Sequence, residues 1–174
     1  MKPVRMDREN AREVATLMHT IRPQWWPSWQ DAYGQLTRVE ESIGTVGWFL
    51  QGLDGLPVGW ALFRELRGYQ ALELECCGYD DHGVFKLEHK LGSLFDQAER
   101  YARQQGYTTL RTGMSSVEFN IDGKELTDIP QAMKNLSTQR VDYRWLLERG
   151  FRVMGIQPDA YPGHCHLILF AKTL

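Results

Sequence analysis

Two carboxylates, Glu73 and Glu75, stand two residues apart in the run Leu72-Glu-Leu-Glu-Cys-Cys77. Alternation along an extended strand sets both on one side together with Cys77, and Leu72, Leu74 and Cys76 on the other. Carboxylates this close on a half-buried strand raise the proton affinity of one of them toward neutrality. They also attract a cationic amine. The same residues could face solvent, or pair with Arg64 or Arg111 on neighbouring strands.

A second group is aromatic. Trp25, Trp26 and Trp29 fall within five residues, in Gln-Trp-Trp-Pro-Ser-Trp. They could wall an apolar or cationic ligand, or cap a core between two helices. His164-Cys165-His166 would place both imidazoles on one side of a strand, but no further ligand lies nearby, so no metal is expected. His82 reads as a loop residue. No Ser-His-Asp arrangement, Gly-x-Ser-x-Gly or P-loop signature appears.

The elements that must position these groups follow from periodicity. After the Glu73–Glu75 strand and a loop through Gly78, Asp80, Asp81 and Gly83, Leu91, Leu94, Phe95, Ala98 and Ala102 repeat at helical spacing. Gly106 closes that helix. A strand from Thr109 to Met114 follows at once, so strand, helix and strand form a βαβ unit. The loop opening its helix is a place where free N–H groups suit a phosphate.

Upstream, Pro3–Met6 reads as a strand. Asn10 and Glu13 read as a capping box for a helix through Val14, Leu17, Met18 and Ile21, broken at Pro23. A second helix runs through Ala32, Leu36 and Val39. Val46–Gln51 and Pro57–Leu66 form a hairpin turned at Leu53-Asp54-Gly55. Downstream, residues 115–139 are polar, with turn signals at Asp122-Gly123 and Pro130. Val141–Arg149 is helical up to Gly150. Phe151–Ile156 and His166–Ala171 are two strands joined by Gln-Pro-Asp-Ala-Tyr-Pro-Gly. The expected order is β-α-α-β-β-β-α-β-α-β-β, in a mixed sheet of about seven strands.

At 174 residues the chain suits one α/β domain, 1–174, with helices on both faces of the sheet. Its 20 Lys and Arg against 22 Asp and Glu give a net charge of −2, which disfavours a nucleic-acid binder. No apolar run approaches the ~20 residues of a membrane span, and the N-terminus lacks a signal peptide's apolar core. Three cysteines, two of them adjacent, suit a reducing compartment, so a cytoplasmic location is expected.

The element order, with Arg103-Gln-Gln-Gly-Tyr107 closing the central helix, Leu147-Glu-Arg-Gly-Phe151 closing the last and Leu167–Lys172 as final strand, resembles the GNAT superfamily of acyl-CoA-dependent N-acetyltransferases. The resemblance implies an N-acetyltransferase that carries an acetyl group from acetyl-CoA to an amine of a small molecule or peptide, by direct attack. It implies a carboxylate base on the Glu73–Glu75 strand, for which Glu75 is the closer match. It also sets the Trp25–Trp29 loop against the acceptor.

In that family the loop before the central helix binds the cofactor's pyrophosphate with the pattern Gln/Arg-x-x-Gly-x-Gly/Ala. The matching positions here are Lys86-Leu-Glu-His89-Lys90-Leu91. Lys86 stands for the Arg, while His89 and Leu91 replace small residues. A shift of one brings in Gly92 and loses the basic residue. Alternatively Gly78 and Gly83 serve, with Asp81 as N-cap. The cofactor-binding set is therefore Cys76 and Cys77 at the strand's end with Lys86, His89, Lys90, Leu91 and Gly92. The family's general-acid Tyr falls at Leu146, and Tyr143, one turn earlier, is the substitute or else a packing aromatic. Two other readings stay open: a GNAT-like domain without transfer activity that binds ligands or partners, and an unrelated mixed α/β enzyme. Exposed end strands leave room for a homodimer.

Overall fold

The computed structural model describes residues 1–41, 44–80 and 88–174, with the side chains of 39–41, 88 and 89 left aside. The chain divides by its contacts into two compact units, Met1–Thr108 and Thr109–Leu174.

The first unit opens with β1 (Lys2–Arg5), α1 (Ala11–Ile21) and α2 (Trp29–Glu41), followed by β2 (Thr45–Gln51), β3 (Pro57–Leu66) and β4 (Ala71–Tyr79). The four strands pair antiparallel in sequence order. A π-helical turn, Glu88–Gly92, then leads into α3 (Ser93–Gln104). One sheet face carries α1 and α2 over Met6, Val14, Met18, Leu36, Phe49, Trp60 and Leu62. On the other, Trp48 meets Phe63 and Phe63 meets Phe95 of α3, edge to face at 5.9 and 6.0 Å. The expected apolar stripe of α3 is all buried: Leu91, Leu94, Phe95, Ala98 and Ala102. Gly106, at φ +78°, ends it as read from the sequence.

The start of α1 differs from the expected capping box. Asn10 makes no side-chain cap. Instead Asp7 Oδ1 accepts from the N–H groups of Glu9 and Asn10, while Asn10 Oδ1 turns back to accept from Asp7 N–H. The box forms at α2 instead: Ser28 Oγ accepts from Asp31 N–H at 3.2 Å, and Asp31 Oδ2 accepts from Ser28 N–H at 3.1 Å.

The second unit holds β5 (Thr109–Ser115), α4 (Ile129–Lys134), α5 (Val141–Glu148), β6 (Arg152–Tyr161) and β7 (Cys165–Thr173). Its strands lie in the order β5-β7-β6, both pairings antiparallel. Two boundaries depart from expectation. Helix α4 occupies part of the polar stretch, started by Asp128, whose Oδ1 accepts from Gln131 N–H, with a proline in its first turn where no N–H is needed. Strand β6 runs to Tyr161 through residues expected as a loop, because irregular pairing between Gln157 and Tyr161 accommodates Pro158 and the positive φ of Asp159. Among the described residues, seven strands and five α-helices in mixed order match the expected α/β class. No described helix is long and apolar enough to cross a membrane. None of the three cysteines is in a disulfide.

Candidate active site

Strand β4 breaks its own alternation. Leu62 of β3 faces Cys76, but its neighbour Phe63 faces Leu74, so Glu75 has no partner on β3. Glu75 is the extra residue of a β-bulge, a device that re-aims a side chain. Cross-strand partners share a face, so Glu73, opposite Arg64, and Cys76, opposite Leu62, lie on the side of α1 and α2. Cys77, opposite Ala61, lies on the α3 side. The expected faces of the two cysteines are thus exchanged, because one inserted residue shifts the phase of everything after it.

The two glutamates have different partners. Glu73 Oε1 forms an ion pair with Arg64 at 2.9 Å, one of the pairings open from the sequence. Glu75 is exposed, and its Oε1 accepts from Gln35 Nε2 of α2 at 2.9 Å. Gln35 Oε1 in turn accepts from the Trp26 indole N–H at 2.7 Å. Sequence reasoning missed Gln35, which sits 40 residues from Glu75 and carries no local signature.

Trp25 and Trp26 form, with Trp60 of β3, a series graded from solvent to core. Trp25 is 61 % exposed, Trp26 is 6 % exposed, and Trp60 behind them is fully buried. Their rings meet edge to face, Trp25 on Trp26 at 5.7 Å and Trp26 on Trp60 at 5.9 Å. His19 Nδ1 lies 2.7 Å from the Trp26 carbonyl and pins the loop to α1. Trp29 opens α2, half-buried, with Tyr33 on one side and the Arg12 guanidinium 5.2 Å over its ring.

Trp60 lies across Gly78, its partner on β4. A Cβ there would overlap the indole, with Cζ2 only 2.6 Å away. Gly78→Ala should therefore destabilise the protein by about 1–3 kcal/mol, read as a lowered urea midpoint with an unchanged m-value. Cys76 packs beside this ring. Burial pushes its thiol up to about 12, helped by Cys77 and Glu75 and partly offset by the Trp60 indole. Cys76 is therefore an unreactive packing thiol.

Of the expected cofactor-binding residues, Lys86 lies outside the described residues, as do the side chain of His89 and residues Asp81, His82 and Gly83. Lys90 is only 3 % exposed. It donates to the Asp80 carbonyl and stands 5.1 Å over the Tyr79 ring, so its charge is spent inside the unit rather than in a solvated first turn. Leu91 is buried. Gly92 occupies the N-cap of α3, and no side chain caps that end. Gly92 itself has helical φ and ψ, −54° and −49°, so the π-helical turn runs unbroken into α3, and the positive helix end that suits an anion is the start of that turn at Glu88.

In the second unit, Tyr143 of α5 packs between Phe119 and Phe170 at 5.2 and 6.0 Å. It is half-buried, and its hydroxyl makes no hydrogen bond among the described residues. Leu146 is buried. His164 and His166 do not form a metal pair. His166 is fully buried, whereas His164 sits exposed in a turn at φ +54°, where strand alternation does not apply. His166 Nδ1 accepts from Asp159 N–H and Nε2 donates to the Lys124 carbonyl, each at 3.0 Å. Ser116 is near, but its Oγ donates to Asp122 and accepts from the backbone N–H of His166. The imidazole never meets the hydroxyl, so this is a structural knot and not a nucleophile with its base. No metal-ligating cluster occurs among the described residues.

By sequence, no family model and no curated protein matches the chain. By structure the likeness runs over nearly its whole length. An aminoglycoside 6'-N-acetyltransferase complexed with coenzyme A matches at a TM-score of 0.84 and 16 % identity, over 99 % of this chain and 97 % of that one. An aminoglycoside 6'-N-acetyltransferase from Enterococcus faecium matches at 0.81 and 16 %, over the same shares. A probable acetyltransferase of the GNAT family from Chromobacterium violaceum matches at 0.68 and 10 %, over 98 % of this chain and 86 % of that one. At such identities the likeness shows the fold alone, and the fold of this chain is the one these solved acetyltransferase structures share.

Proposed function

We propose that the chain, acting as one domain, is an N-acetyltransferase that moves an acetyl group from acetyl-CoA to the amine of a small molecule. The observation that carries this reading is Glu75. It is lifted out of the β4 ladder by a bulge, held at one oxygen by Gln35, and lies on the face that carries Trp26. Acetyl-CoA supplies the activated thioester. The helical turn that opens at Glu88 and runs into α3 is where its pyrophosphate would sit, and Lys90 contributes structure there rather than charge. The fold's neighbours include enzymes named for aminoglycosides, one of them complexed with coenzyme A, which supports a small amine as acceptor.

The chemistry asks for few groups. The acceptor arrives as an ammonium and must lose a proton before it can attack. Glu75 takes that proton, directly or through one water. The amine nitrogen bonds to the acetyl carbon, the carbon–sulfur bond breaks, and the thiolate takes up a proton on leaving. Water can supply that proton. Trp25, the exposed member of the indole series, offers a face to the acceptor.

Binding is measured first. Acetyl-CoA at one hundred times its Kd should stabilise the protein by about 2.7 kcal/mol, a rise in Tm of roughly 5–10 °C. Amines are then screened by acceptor-dependent release of the CoA thiol. An unmoved Tm at millimolar acetyl-CoA, in protein that melts cooperatively, would overturn the reading and favour the domain without transfer activity.

A further inference from the structure

We infer that Gln35 is a positioning residue that orients Glu75 and ties it to the Trp26 indole, an inference resting on the role of Glu75 proposed above. The geometry leaves the amide one orientation. An indole N–H can only donate, so Trp26 requires the Gln35 oxygen, at 2.7 Å. The Gln35 amino group is thereby turned to the other side, where it meets Glu75 Oε1 at 2.9 Å. It also lies 3.9 Å from Cys76 Sγ. A carboxylate only accepts, so donor and acceptor alternate without conflict from Trp26 through Gln35 to Glu75. Gln35 is half-buried on α2, one position before the buried Leu36, and both ends of its amide are used.

The consequence for Glu75 is directional. A glutamate at a bulge on an exposed surface samples several rotamers. One hydrogen bond to Oε1 selects among them and leaves Oε2 without a partner among the described residues. Oε2 is then the oxygen presented to the acceptor's proton. The indole that anchors the relay also walls the same face, so loop, helix and strand are held in one geometry. A proton transfer needs heavy atoms within about 3 Å of each other, and a carboxylate that wanders loses most productive encounters.

The relay is testable without turnover. The six indole N–H signals are followed by NMR from low to neutral pH. In the wild type the Trp26 signal, identified by its loss in Trp26→Phe, should move as Glu75 ionises. The movement that follows Glu75 should be absent in Glu75→Gln and in Gln35→Ala, which keep only the part due to His19 against the Trp26 carbonyl, identified by its loss in His19→Gln. A Trp26 signal that does not titrate in the wild type, or that titrates unchanged in Gln35→Ala, overturns the relay.

The kinetic arm is a double-mutant cycle. Gln35→Ala should lower kcat about 10-fold with the KM for acetyl-CoA unchanged. In a Glu75→Gln background it should cost nothing further, since there is no base left to aim. Equal losses in both backgrounds would mean that Gln35 matters only for folding, and the positioning role falls. If Glu75→Gln alone keeps wild-type kcat, the base assignment fails on its own, while the NMR arm still decides whether the relay exists.

Discussion

Glu75→Gln should lower kcat by about 10²–10⁴-fold and leave acetyl-CoA affinity and Tm unchanged. The variant keeps the shape of the side chain and can still accept from Gln35, so the bulge, the indole relay and the loop stay in place. It loses only the ability to hold a proton. The loss should appear in kcat and in kcat/KM together, because the interaction removed is one realised in the transition state. The acid limb of the pH–rate profile should disappear with it. Wild-type kcat from about pH 6 to 9 would assign deprotonation of the amine to bulk water or to another group. Glu73→Gln is the control. Its carboxylate is engaged with Arg64 at 2.9 Å, so its removal should change the KM of a cationic acceptor more than kcat.

Trp26→Ala should destabilise the protein by about 3–5 kcal/mol, a fall in Tm of roughly 6–20 °C. The ring is 94 % buried, contacts Trp25 and Trp60 edge to face, and satisfies Gln35 through its N–H. Its removal leaves a cavity over Trp60 and an amide oxygen without its donor. Trp25→Ala, at a residue 61 % exposed beside it, should change stability by less than about 0.5 kcal/mol and act on the acceptor KM instead. Thermal unfolding of both variants, with acceptor kinetics for Trp25→Ala, checks the division. A small loss for Trp26→Ala would move that indole from the core to the pocket wall.

Much of this was legible from spacing. The stripe from Leu91 to Ala102, the glycine stops at Gly106 and Gly150 and the hairpin at Asp54-Gly55 are local patterns, and local patterns survive folding. The paired glutamates were visible as a pair. What spacing could not show was the bulge, because a strict period of two has no place for an extra residue. Nothing in the order of the residues marks Glu75 as the one without a partner; only its pairing with β3 does. Gln35 was invisible for a related reason: its meaning lies in two contacts made across the fold. Helix α4 was lost in a polar stretch where Pro130 looked like a breaker, though in a first turn proline costs nothing. The cap at Asn10 had the right composition and the wrong wiring, with Asp7 taking over its role.

The Arg64–Glu73 pair has a consequence for anything charged that comes to this face. Of the two carboxylates on that face of β4, one is already neutralised by a guanidinium, and the other is held by an uncharged amide. At long range the strand therefore offers an arriving cation a valence of one. That field is screened within about 8 Å at physiological ionic strength. The attraction scales with the visitor's own charge, so a polyamine is drawn in more strongly than a monoamine before contact, and at contact indole faces and shape take over.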